Sequence, residues 1–197
     1  MRVLGIDPSL TSTGLAILDT GTRWWTATTI PSAAPKAPTT TASFVRLEGI
    51  RDRLSTWVDG VISDEYVGIS CVVIEAPAYS RTAGMSHERA GLWWLLYAWA
   101  RDYLTRVSGE DGRLVVVLPN LRAKYATGRG NAAKDVVMLA SAKRYPDADI
   151  TGNDIADAVL LAAIGARMMG EAVDDPLSAA QLSALKTLRV ESPGYSA

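Results

Sequence analysis

Short apolar runs separated by turn-forming residues open the chain. Residues 3–6 are apolar, Pro8-Ser9-Leu10-Thr11-Ser12-Thr13-Gly14 interrupts them, and residues 15–18 are apolar again. Asp19-Thr20-Gly21 is a turn signal, and residues 23–30, rich in Trp and Thr, have the composition of a third strand. Three strands on such short connections predict an antiparallel meander. Residues 31–41, rich in Pro, Ala and Thr, read as a flexible connection.

The period then changes. Phe44, Leu47, Ile50, Leu54, Trp57, Val58 and Ile62 recur at helical spacing and predict a helix over about 43–62. Residues 67–76 form an apolar, β-branched run closing on Glu75-Ala76-Pro77, the pattern of a strand buried on both faces. A long helix is expected over 84–107, with Leu92, Leu95, Leu96, Trp99, Tyr103 and Val107 in one stripe and Trp93, Trp94 and Tyr97 off it. Residues 114–118 read as a strand, 119–131 as a polar, glycine-containing connection, and 132–144 and 153–169 as helices. A short helix near 178–188 lies in a peripheral tail, so the expected organisation is a domain over 1–170 followed by the segment 171–197. Strands first, then helices alternating with strands, imply an α/β or α+β sandwich. Its mixed sheet is expected to be antiparallel in the first three strands and parallel after them, with helices on its faces. There is no internal repeat.

A chain of 197 residues suits one domain with a sizeable core. No apolar run nears the roughly 20 residues that cross a bilayer, and the opening lacks the charged start and apolar stretch of a secretory signal. Cys71 sits in the apolar run 69–74 and reads as a buried hydrophobe with no disulfide partner. These features predict a cytoplasmic protein with no membrane partner. The net charge of −1 conceals a local imbalance. Residues 113–144 carry seven Lys or Arg against one acid, whereas 145–175 carry seven acids against Arg167 alone. Adjacent basic and acidic blocks sum to nearly zero and still present a phosphate-binding face.

Four acids stand where acids are expensive. Asp7 ends the first strand, and strand ends are where functional groups project into a crevice. Glu75 ends a strand of wholly apolar character, where a carboxylate is costly unless paired or bound to a cation. Asp154 and Asp157, three residues apart at a helix start, share one face with Leu161 and Ile164. The helix dipole favours either acid. It does not explain two like charges on a face that packs inward, and a divalent cation between them does. Four oxygen donors without His or Cys suit Mg²⁺ or Mn²⁺ and not Zn²⁺. Two such ions about 4 Å apart activate a water and stabilise the leaving oxygen of an in-line phosphoryl transfer.

A family resemblance runs through the same residues. Gly5-Ile6-Asp7-Pro8-Ser9 with Thr13-Gly14, the strand ending in Glu75, Gly128-Arg129-Gly130-Asn131-Ala132-Ala133-Lys134, and Asn153-Asp154-Ile155-Ala156-Asp157-Ala158 occur in that order over residues 1 to about 170. Together they resemble the RuvC-like Holliday junction resolvases, in their compact bacteriophage form. The resemblance implies a ribonuclease H-like fold, a homodimer, and paired nicks placed symmetrically across a four-way DNA junction in a bacterial or phage-infected cell. It implies metal binding by Asp7, Glu75, Asp154 and Asp157, with two Mg²⁺ ions per site, and a phosphate contact by Lys134. Ser9 departs from the glycine usual in the bacterial enzymes, and residues 31–41 and the tail after 170 have no counterpart.

Lys134 follows a glycine-containing loop at a helix start, a position that favours anions. Lys124 and Arg129 are candidates for nucleic-acid backbone contacts, and Tyr79 for stacking on a base. His87, the single histidine, reads as a loop or helix-cap residue. Trp93, Trp94 and Tyr97 are candidates for a dimer surface, with core packing the alternative. The first motif also resembles the phosphate loop of actin and Hsp70-type ATPases, but 197 residues leave no room for the second domain those need. A nuclease of the same fold acting on flaps, forks or RNA–DNA hybrids remains the main alternative. A non-catalytic binding module is disfavoured by the presence of all four acids.

Overall fold

The computed structural model describes residues 1–37, 39–62, 68–77, 85–174 and 176–194. The opening meander forms β1 (Arg2–Asp7), β2 (Ser12–Asp19) and β3 (Trp24–Pro31), paired antiparallel. After α1 (Thr40–Val61), β4 (Ile69–Glu75) pairs parallel with β1. After α2 (Ser86–Ser108), β5 (Arg113–Val117) pairs parallel with β4. Then come α3 (Pro119–Thr127), α4 (Lys134–Arg144), α5 (Asn153–Met168), α6 (Ala179–Leu182) and β6 (Val190–Glu191). The sheet order is β3-β2-β1-β4-β5-β6, the mixed α/β sheet expected from the pattern, with a short antiparallel β6 added at the edge. No helix among the described residues is long and apolar enough to cross a membrane.

Side-chain alternation along the strands divides the core in two. Leu4, Ile6, Leu15, Ile17, Val72 and Ile74 face α1 and α2, meeting Leu47, Ile50, Leu54, Leu92 and Leu96. Val3, Ala16, Leu18, Cys71, Val73, Val115 and Val117 face α5, whose residues from Ala156 to Ala166 are all buried between the sheet and α3 and α4. Parity therefore puts Asp7, in phase with Val3 and Gly5, and Glu75, in phase with Cys71 and Val73, on the α5 face. Burial pushes the Cys71 thiol up to about 12, so it behaves as one more apolar group.

Glycines set the spacing of that layer. A Cβ on Gly5 would lie 2.1 Å from the carbonyl oxygen of Ala158, and one on Gly14 2.1 Å from that of Asp154. A Cβ on Gly165, on the helix side, would meet Val73 and Val3 at 2.5 and 2.7 Å. The alanines of α5 complete a contact in which helix and sheet backbones nearly touch.

Several sequence expectations shift. Residues 119–131, expected as a connection, contain α3. Pro119 opens it at the first turn, and Gly128 at φ 83° closes it, its N–H donating to the Lys124 carbonyl oxygen. Helical periodicity failed there because the turns are few and the buried face includes a charged residue, Arg122. α1 starts at Thr40, capped by the Thr39 hydroxyl, so the connection after β3 is shorter than 31–41. Phe44 and Val107, expected in apolar stripes, are exposed near the ends of their helices. The tail helix has only four residues, but the tail is tied down. Asp174, fully buried, accepts hydrogen bonds from Tyr125 and Tyr145 and pairs with Arg167.

The glycine contact makes a prediction. Gly14→Ala should cost about 2 kcal/mol, as overpacking against a backbone atom does, lowering the melting temperature by about 5 °C. Gly49→Ala, in the middle of α1 with nothing within 4 Å of the new methyl, should raise stability by up to about 1 kcal/mol. Thermal melts of both variants decide it, and an unperturbed Gly14→Ala would show that α5 can retreat freely.

Candidate active site

Four elements meet at one edge of the sheet. Ile6 and Ile74 are register partners in the parallel β1–β4 pair, so Asp7 and Glu75 finish neighbouring strands at the same level. Asp7 pairs with Gly14 across β1–β2, and Gly14 lies against the backbone of Asp154. The first turn of α5 is thereby set beside Asp7. Val117, the register partner of Glu75, ends β5 just before α3, which brings Arg122 over the same edge. Asp157 and Glu75 are buried, while Asp7 and Asp154 are half-buried.

Arg122 is the residue that sequence reasoning counted only as part of a basic block. It is 8% exposed, and its guanidinium donates from Nε to Glu75 Oε2 and pairs through Nη1 with Asp157 Oδ1. A second donor, Nη2, lies 3.4 Å from Glu75 Oε1. The available signal was a charged residue on the buried face of a helix that Pro119 and Gly128 delimit. On the other side of the sheet, the Trp93 indole N–H donates to the Glu75 carbonyl oxygen at 2.9 Å, fixing the end of β4 from behind.

The charges do not balance. Burial pushes the Asp7 carboxyl up to about 7, and the negative charge of Glu75 adds to the rise. Arg122 pulls it back, Asp154 raises it further, and Lys134 lowers it. Glu75 is also raised, by burial first, with Arg122 and Lys134 opposing. Both carboxyls stand above their ordinary range chiefly because they are buried, and Arg122 and Lys134 offset only part of that rise. Among the described residues, no three acids already converge on one cation position. The donor set nevertheless fits a hard divalent cation, being oxygen only, partly desolvated and under-neutralised.

Lys134, exposed at the first position of α4, acts electrostatically on both Asp7 and Glu75. Lys124 is half-buried on α3 and Arg129 exposed in the following loop, and neither is among the charges acting on Asp7 or Glu75. Tyr79 lies outside the described residues. His87 is exposed in the first turn of α2. Trp93 is half-buried and stacks on Tyr97 with ring centroids 5.1 Å apart, whereas Trp94 is 62% exposed. Trp93 is thus the packing member of the aromatic group, and Trp94 the surface one.

A mixed sheet with an antiparallel start and parallel continuation, and helices on both faces, define an α/β fold of the ribonuclease H-like kind. More particularly, the fold is RuvC-like. The structure of Thermus thermophilus RuvC matches over 90% of this chain and 100% of that one, with a TM-score of 0.57 and 20% identity. Thermus thermophilus RuvC in complex with a Holliday junction substrate matches over 90% of this chain and 99% of that one, with a TM-score of 0.60 and 20% identity. Neither any protein-family model nor any curated protein matches the chain by sequence.

The raised Asp7 carboxyl fixes a pH dependence. Protonated, it is cheap to bury, so its contribution to stability is complete below its ordinary value of 3.8 and is lost as the pH climbs towards 7. In EDTA, Asp7→Asn should therefore melt about 3 °C or more above the parent at pH 8, with the difference vanishing by pH 3. An equal difference at both pH values would mean that Asp7 is not held against its charge.

Proposed function

We propose that this chain is a metal-dependent endonuclease that resolves four-way DNA junctions by paired, symmetric nicks. The observation that carries the reading is the gathering of Asp7, Glu75, Asp154 and Asp157 at one under-neutralised edge of a RuvC-like fold, with Lys134 acting on it from α4. Asp7, Glu75, Asp154 and Asp157 would hold Mg²⁺, or Mn²⁺ in its place, in up to two positions. The bound cation would supply an acidified water and charge stabilisation at the attacked phosphate. The residues supply the rest. The four carboxylates would orient that centre at the sheet edge. Lys134 meets a phosphate oxygen and offsets charge developing in the transition state. Lys124 and Arg129 extend the positive surface along the nucleic-acid backbone. Because one carboxylate cluster makes one cut, paired nicks require a two-fold dimer that presents a second cluster to the opposed strand. The junction bound by Thermus thermophilus RuvC supports the choice of substrate.

Two measurements test this. In Mg²⁺, the protein should cut a four-way junction in preference to flaps, forks and RNA–DNA hybrids. Asp7→Asn or Asp154→Asn should abolish cleavage while junction binding persists, and Lys134→Ala should slow it by about 100-fold or more. Full activity in both aspartate variants, or equal cutting of all substrates, would overturn the nuclease site or the junction preference respectively. For pairing, sedimentation should give a dimer and a cruciform plasmid should be linearised within one binding event. Trp94→Glu, at the exposed aromatic, should shift the protein towards monomer and leave singly nicked circles. A stable parental monomer would remove the basis for symmetric cutting.

A further inference from the structure

Among the described residues, Arg122 is the only buried Lys or Arg, and both of its partners belong to the carboxylate set. Two of the four acids, Glu75 and Asp157, are thus already engaged by a cation. No hydrogen bond or ion pair among the described residues engages the carboxyl groups of Asp7 and Asp154. The set is split into an occupied pair and an open pair.

That split has a consequence for cation loading. A buried guanidinium is retained only while anions surround it, since removing one partner leaves an uncompensated charge. Carboxylate oxygens turned towards Arg122 are not available to a second divalent ion. An ion placed among them would also face the guanidinium at short range, where like charges repel strongly in a poorly solvated site. Asp7 and Asp154 meet neither obstacle, and Gly14, the register partner of Asp7, lies against the backbone of Asp154, so an ion between the two carboxylates relieves their repulsion.

We propose that Arg122 occupies the second cation position of this site, so that the DNA-free protein binds one divalent ion, at Asp7 and Asp154, and admits a second only when the guanidinium has left Glu75 and Asp157. The proposal rests on the metal-dependent reading above and adds an order of loading to it. Arg122 is then a positioning residue. It holds two ligands apart from the cation and neutralises them until they are needed.

The test is a Mn²⁺ titration of the full chain without DNA, with bound ions counted by electron paramagnetic resonance and calorimetry. The parent should bind about one ion per chain, and Arg122→Gln, confirmed folded by circular dichroism, about two. In the same titration Asp157→Asn should keep the single ion and Asp7→Asn should lose it, which tests the order of loading even if Arg122→Gln does not fold. Two ions on the parent, or loss of the single ion in Asp157→Asn, would overturn the role of Arg122 and leave the metal-dependent reading standing. No bound ion on any form would overturn both. One ion on a folded Arg122→Gln would show that something other than the guanidinium excludes the second.

Discussion

At Gly5 and Gly14 the backbone of α5 rests directly on the sheet, with no room for even a methyl group between them. The rest of the carboxylate edge depends on that closeness. Asp154 lies in the first turn of α5, with Asp157 one turn further on, and Asp154 comes within range of Asp7 only because the helix axis is drawn down onto β1 and β2. A larger residue at either glycine would lift the helix, and the cluster would open along its length. The same contact explains why α5 is built from Ala, Val, Leu and Ile and buried throughout its middle. It has a sheet beneath it and α3 and α4 packed against it, so polar residues are confined to its two ends.

Drawing acids together in this way costs electrostatic energy, and the surroundings return only part of it. Arg122 brings one positive charge into the buried edge, and Lys134 acts on it from the exposed start of α4. The remaining deficit shows in Asp7, whose carboxyl is held up to about 7. A fold optimised for stability alone would place neutral side chains here.

The far side of the sheet takes part as well. Trp93 reaches from α2 to the carbonyl oxygen of Glu75, and its neighbour Tyr97 donates from its hydroxyl to Glu191 on β6 at 3.2 Å. The end of β4 is thereby braced by side chains that belong to the opposite layer. The tail is fastened through Asp174 in the same way, by two tyrosine hydroxyls and Arg167, so that residues beyond α5 contribute to holding α3 against the domain.

Much of this was legible in the chain. The order of strands, the parity that sends Asp7 and Glu75 to one face, and the shared face of Asp154 and Asp157 all follow from local periodicity. Periodicity arises from backbone geometry that each segment carries by itself. The glycines of the first strands and Pro119 and Gly128 around α3 were visible too, although the helix between them was too short and too polar for its period to stand out. What the chain did not disclose was which charges would be neighbours. Arg122 is separated from Glu75 and Asp157 by 47 and 35 positions, and nothing local distinguishes it from the other bases of its block. Its burial between two carboxylates, the support of Glu75 by Trp93 and the exposure of Trp94 were decided by the tertiary structure, because a Coulomb interaction or a hydrogen bond depends on distance in space, and only the packing of α3, α5 and α2 on one sheet sets those distances.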